Sequence, residues 1–233
     1  MVSRQHKLQR AAKIHLFQRA MITYWQQNGR HELPWRKTTS AWNILLAEVL
    51  LRKTTSAQAA AVYESLAPYS PAEIVGMDQA ALAGLLQPLG IHQVRAKQLQ
   101  QIAQAVIDSG GTVLESDAAL RALPGVGRYI SNSVRCCAFG VPAPAMDTNL
   151  IRVMNRVFGW TSHRKRPRED RKLWQCAEAL VPDDMPREFN WGMLDFAAAI
   201  CTQRKPKCEQ CPINEICTYY AANRQVQALE MAE

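Results

Sequence analysis

Four cysteines, Cys201, Cys208, Cys211 and Cys217, fall within seventeen residues in the spacing C-x6-C-x2-C-x5-C. Soft thiolates gathered this tightly converge on a metal or an iron–sulfur centre, which forces the segment to close around its ligand. Structural zinc sites usually come as two CxxC-like pairs separated by a finger. One CxxC with two wider gaps favours a [4Fe-4S] cluster over zinc. The first gap, Thr202-Gln203-Arg204-Lys205-Pro206-Lys207, carries three cations. A loop fixed at both ends by ligands and presenting Arg204, Lys205 and Lys207 is suited to hold phosphates.

A chain of 233 residues has room for one large domain or two small ones. Its 48% hydrophobic residues support a true core. A formal charge of +8 and a pI of ≈ 9.3 fit a polyanionic partner, although solubility alone would account for them. Seven cysteines, four of them clustered, follow a basic start with no apolar secretory region. That combination points to the reducing cytoplasm and not to a disulfide framework. Cys136, Cys137 and Cys176 read as small core residues. No apolar run approaches the ~18 residues of a membrane span.

Apolar residues recur at helical spacing over Ile14 to Trp25, Ile44 to Leu51, Ala57 to Leu66, Leu82 to Leu86 and Ala96 to Ile107. The pattern continues over Ser131 to Phe139, Leu150 to Phe158, Leu173 to Leu180 and Trp191 to Ile200. Gly- or Pro-bearing breaks separate them, among them Pro68 to Pro71, and no alternating strand pattern reaches useful length. The chain therefore reads as all-α. The charged stretch from His163 to Lys172 is a solvated loop by default, or an addition to a polyanion-facing surface.

Leu123-Pro124-Gly125-Val126-Gly127-Arg128 follows a short helix (Ala118 to Ala122) and opens another (Tyr129 to Phe139). Two glycines let a phosphate approach main-chain N–H groups, and the next helix N-terminus adds positive partial charge. This is the pattern of a helix-hairpin-helix grip on one phosphodiester strand, set against an ordinary interhelical loop. About twenty residues on, Asp147 precedes a strongly periodic helix. It reads either as an N-cap or as a catalytic carboxylate held ionised by the helix N-terminus.

Together these motifs resemble the iron–sulfur branch of the helix-hairpin-helix DNA glycosylase superfamily. The resemblance runs from about Leu33 to Cys217, through Pro34-Trp35-Arg36, Ala47-Glu48-Val49-Leu50-Leu51, Leu89-Gly90 with Arg95-Ala96, the hairpin, Asp147 with Arg152-Val153, and Phe189-Asn190-Trp191-Gly192. It implies a base-excision enzyme that flips a nucleotide from double-stranded DNA and cuts its N-glycosidic bond. It also implies two helical domains flanking a DNA groove. One is a six-helix barrel over 33–142 and the other a discontinuous cluster domain over 1–32 and 143–225, with 226–233 as a tail.

Three features bear on the branch. Bifunctional members resembling endonuclease III carry a Schiff-base lysine directly after the hairpin, where this chain has Tyr129. Glu48 matches the glutamate with which adenine glycosylases protonate a purine. The following Leu51-Arg52-Lys53-Thr54-Thr55, however, lacks their glutamine pair. The chain ends sixteen residues after Cys217, so a further recognition domain is not expected. The closest resemblance is then to thymine/uracil glycosylases acting on mismatches with guanine. An adenine glycosylase without its second domain and an inactive DNA-binding relative remain as alternatives.

On that resemblance Asp147 stabilises the sugar cation, and Glu48 reads the flipped pyrimidine unless it is a plain surface residue. Tyr129 lines the pocket unless it is a core aromatic. Ile91 and His92 stand where the family places its intercalating wedge, with His92 either reading the orphan guanine or serving only as a helix-terminus residue. Leu123, Gly125, Val126, Gly127, Arg128, Arg52 and Lys53 join Arg204, Lys205 and Lys207 on DNA. The cluster is structural, and Asp195 is an interior cap or ion-pair partner. A monomer acting on DNA in the cytoplasm is expected.

Overall fold

The computed structural model describes residues 2–230, with the side chains of 2–5, 7 and 226–230 left aside. The described residues form twelve α-helices and six short 3-10 turns, with no strand. None of these helices is long and apolar enough to cross a membrane. The chain divides into two compact units, His31–Ala143 and a discontinuous one made of Met1–Arg30 with Pro144–Glu233.

The contiguous unit holds α2 (Ala41–Leu50), α3 (Ser56–Leu66), α4 (Pro71–Gly76), α5 (Gln79–Leu86), α6 (His92–Asp108), α7 (Asp117–Ala122) and α8 (Arg128–Phe139). Helix α2 is apolar on nearly every side. Trp42, Ile44, Leu45, Leu46, Ala47, Val49 and Leu50 are all buried, which marks a central helix. It packs against α3 and α8, while α6 packs on α4 and α5. Polar caps set the starts: Ser40 accepts from Asn43 N–H, Thr55 and Gln58 form a capping box, and Ser70 and Glu73 form another.

Helix α4 begins inside a stretch that reads as a break, because Pro71 occupies the first helical turn, where its missing N–H costs nothing. Six residues are also too few to show a period. Cys136 and Cys137 are buried as expected, whereas Cys176 is only half-buried.

In the discontinuous unit α1 (Val2–Asn28) lies along α11 (Pro186–Ala199). Gly192 makes the approach possible, since a Cβ there would sit 2.1 Å from the carbonyl oxygen of Met21. Aromatic pairs continue the seam: Phe17 with Phe189, Tyr24 with Phe196 at 5.6 Å and Trp25 with Trp191 at 5.1 Å. Asp195, 3% exposed, pairs with Arg30 (Nε to Oδ1 2.6 Å) and accepts from its backbone N–H, the ion-pair role its position suggested. Helix α9 (Thr148–Phe158) packs on α11 and on α12 (Thr218–Glu230), and α10 (Arg171–Glu178) completes the unit.

Helix α12 runs through most of the segment expected to be a tail. Its described side chains are mostly exposed, so no apolar stripe marks it in the sequence. Residues 231–233 lie outside the described residues.

Candidate functional site

The hairpin joins α7 to α8. Leu123 and Val126 are buried and hold the turn, with Val126 N–H donating to the Leu123 carbonyl at 3.1 Å. What the turn presents is therefore backbone, not these two side chains. Gly125 is left-handed at φ 73, and the place a Cβ would fill is taken by the Arg52 guanidinium, 2.1 Å away. Arg52 thus packs against the hairpin, half-buried, and also reaches Gln98 Oε1 at 3.4 Å. It supports the hairpin from within this unit. Lys53 is exposed beside it.

Gly127 is the N-cap of α8 and brings no capping side chain to the first turn, which carries half-buried Arg128 and Tyr129. Ser131 Oγ donates to Asp117 Oδ1 at 2.6 Å, tying α8 to α7. Burial alone would raise the Asp117 pKa. The Ser131 bond and the charges of Arg121 and Arg135 outweigh that and hold it below its ordinary value.

Glu48 is half-buried on α2 and accepts a short hydrogen bond from Ser133 Oγ of α8. Tyr129 precedes Ser133 by one helical turn, so both lie on one face of α8. Behind them the Cys137 thiol is pushed well up, first by its hydrogen bond with Cys136, then by burial and by the Cys136 and Glu48 charges. It is an inert core thiol. Ser133 carried no signal in the sequence, because its partner is 85 residues away.

Ile91, 68% exposed, tops α6 with half-buried His92 as the first helical residue. Arg95, buried beneath, donates to the carbonyls of Gly90, Val49 and Arg52.

In the discontinuous unit Asp147 is the N-cap of α9. Its Oδ1 accepts from Asn149 N–H at 2.8 Å and Leu150 N–H at 2.9 Å, and its Oδ2 faces Asn149 Nδ2. Half-buried, it follows three buried residues, Pro144, Ala145 and Met146. Asn190 Oδ1 accepts from Ala145 N–H at 2.9 Å while its Nδ2 donates to the Pro186 carbonyl, so α11 fixes the approach to the carboxylate. Capping and the orientation of a carboxylate toward a ligand are compatible uses of the same geometry.

Helix α9 also carries the brace of the cysteine loop. Arg152 donates to the carbonyls of Cys201 and Ala197, and Arg156 to those of Thr202 and Gln203, with its Nη1 3.4 Å from Cys201 Sγ. Arg204, Lys205 and Lys207 project from this loop, all exposed. The four thiols form no disulfide and share one cavity with Val157, Phe196, Ile200 and Ile213. Burial first, then the other three cysteines, push the Cys211 thiol up to about 11, and burial with Cys217 and Cys201 raises Cys208.

Among the described residues no three Cys, His, Asp or Glu side chains converge tightly enough to hold a single ion. A four-thiol donor set spread around an apolar cavity, with an arginine beside one sulfur, fits a [4Fe-4S] cluster. Two hydrogen bonds tie down the basic stretch after α9: Ser162 Oγ donates to Asp170 Oδ2, and Trp174 Nε1 donates to the Arg168 carbonyl at 2.8 Å.

Known proteins resemble this chain along most of its length. The description "HhH-GPD superfamily base excision DNA repair protein" fits residues 46–178, and the iron–sulfur binding domain of endonuclease III fits residues 201–217. Thymine-DNA glycosylase of Aeropyrum pernix is 44% identical, over 89% of this chain and 96% of that protein. Thymine/uracil-DNA glycosylase of Pyrobaculum aerophilum is 41% identical, over 90% and 94%. The solved structure of a thermostable thymine-DNA glycosylase superposes with a TM-score of 0.84 at 38% identity, covering 91% of this chain and 98% of its own. As its hairpin, Asp147 and four cysteines implied, this chain belongs to the HhH-GPD superfamily of base excision DNA repair proteins, in its iron–sulfur branch.

Proposed function

We propose that this protein is a monofunctional DNA glycosylase that flips thymine or uracil mispaired with guanine out of double-stranded DNA and hydrolyses its N-glycosidic bond. The observation that carries the reading is Tyr129 in the first turn of α8, a phenol directly after the hairpin where an imine-forming enzyme needs an amine. The kinship with thymine- and uracil-removing relatives supports the choice of base.

The reaction breaks the bond from C1′ to N1 of the base. The pyrimidine leaves as an anion stabilised by its own carbonyls; water adds to C1′ and gives a proton to Asp147, which releases it to solvent, and the base anion takes up a proton from solvent. The demanding species is the sugar cation. Asp147 stabilises it and orients the water, steadied by the N–H groups of Asn149 and Leu150. Glu48, oriented by the Ser133 hydroxyl, accepts from N3–H of the extruded base and selects pyrimidine. Tyr129 packs on base or sugar.

Backbone N–H groups of Gly125 to Arg128 hold one strand's phosphates, and Arg204, Lys205 and Lys207 another stretch. Ile91, backed by His92, enters the stack, where a mispair lowers the cost of a few kcal/mol for leaving it. The bound cluster supplies bracing to the basic loop and no electron transfer. The enzyme works as a cytoplasmic monomer.

The test is a panel of duplexes containing G·T, G·U and adenine opposite oxidised guanine. Release of thymine and uracil with intact abasic strands is expected. Release of adenine alone, or strand breaks without alkali, overturns the reading.

A further inference from the structure

Among the described residues two that are not glycine adopt a left-handed backbone, Lys53 at φ 57 and Ile91 at φ 45. This conformation is uncommon outside glycine and is an outlier for a β-branched residue. Such strain persists only where the surroundings over-determine it, and it clusters at working sites. The two residues sit on separate turns, Lys53 after α2 and Ile91 before α6. One side chain joins them. The Arg95 guanidinium donates through Nη2 to the Arg52 carbonyl at 2.6 Å and through Nε to the Gly90 carbonyl at 3.1 Å. Those carbonyls belong to the peptide bonds that lead into Lys53 and Ile91. The third bond, Nη1 to the Val49 carbonyl at 3.3 Å, anchors the group to the end of α2, which carries Glu48.

Arg95 is 7% exposed, and it donates to three main-chain carbonyls. Burial, then the charge of Arg52, lower its pKa, so the fold retains a cation here against an electrostatic penalty. A rigid fork of donors explains why: a guanidinium reaches three carbonyls in fixed directions, which a lysine ammonium cannot do. Lys53 and Ile91 both lie on the surface, the latter a bare apolar side chain.

We infer that Arg95 is a positioning residue that locks the Lys53 and Ile91 turns as one unit, so that forcing open the target base pair depends on it while bond cleavage does not. The inference rests on the glycosylase reading above.

The test compares single-turnover release of uracil from a G·U pair with release from an unpaired bulge, in the full chain. Arg95→Lys slows the paired substrate on the order of 10- to 100-fold and leaves the bulged one nearly unchanged. The fluorescence rise of 2-aminopurine placed beside the mismatch, which reports opening on binding, is also lost. Equal slowing on both substrates, or an unchanged fluorescence rise, overturns the inference. Should Arg95→Lys not fold, the surface variants Lys53→Gly and Ile91→Ala decide it. Two turns acting as one unit give non-additive losses in the double variant, and additive losses reject the coupling. An unmutated protein that opens the pair but releases no base fails the glycosylase reading, while the fluorescence comparison still judges Arg95.

Discussion

Asp147 caps α9, the proposed function gives it a second office, and one substitution separates the two. Asparagine caps a helix about as well as aspartate, so Asp147→Asn is expected to change stability by less than ~0.5 kcal/mol. Removing the negative charge from beside the sugar cation is expected to slow base release by on the order of 10³-fold with DNA binding retained. Thermal melts and single-turnover assays on G·T duplexes check both numbers, and normal turnover would reduce Asp147 to a cap. Tyr129 invites the converse experiment. The unmutated protein should form no borohydride-trapped adduct with DNA. Tyr129→Lys should form some and nick the strand, because an amine then occupies the start of α8. The cysteine spacing, the hairpin and Asp147 were legible in the sequence because each is a local pattern. The bond from Ser133 to Glu48 was not, and neither was the use of Arg52 against Gly125, since both depend on helices meeting across long separations.

At the scale of elements, most helices announced themselves through apolar spacing and α7 through the hairpin that follows it, and the two that did neither are instructive. Helix α4 is too short to show a period, and α12 is too exposed to need one. The contact of α1 with α11 turns on a single glycine. Gly192→Ala gains helix propensity of up to about 1 kcal/mol. It also places a methyl group 2.1 Å from the Met21 carbonyl oxygen, which the main chain of a packed helix cannot easily yield. Net destabilisation of about 2 kcal/mol or more is expected, read as a lowered melting temperature with iron content unchanged at the onset. Helix α9 has a different part, carrying Asp147 at its start and arginines along its length that hold the cysteine loop.

For the molecule as a whole, a basic loop and a net charge of +8 are expected to make duplex affinity fall with salt. Lys207→Ala should weaken matched and mismatched duplexes alike and reduce the slope of log affinity against log salt by about 1. Binding isotherms at several ionic strengths check this, and a loss confined to the mismatch would contradict a phosphate contact. The split of the chain also has a schedule built into it. The unit His31–Ala143 is continuous and can close as soon as it leaves the ribosome. Helix α1 cannot, because Asp195, the partner of Arg30, arrives 165 residues later. At ordinary synthesis rates of roughly 5–20 residues per second the wait is on the order of 10–30 s. Through that interval Phe17, Met21 and Trp25 have no α11 to cover them. A nascent chain stalled before Pro186 should therefore be cut by protease within α1 while the nested unit resists. The first helix made waits for the eleventh.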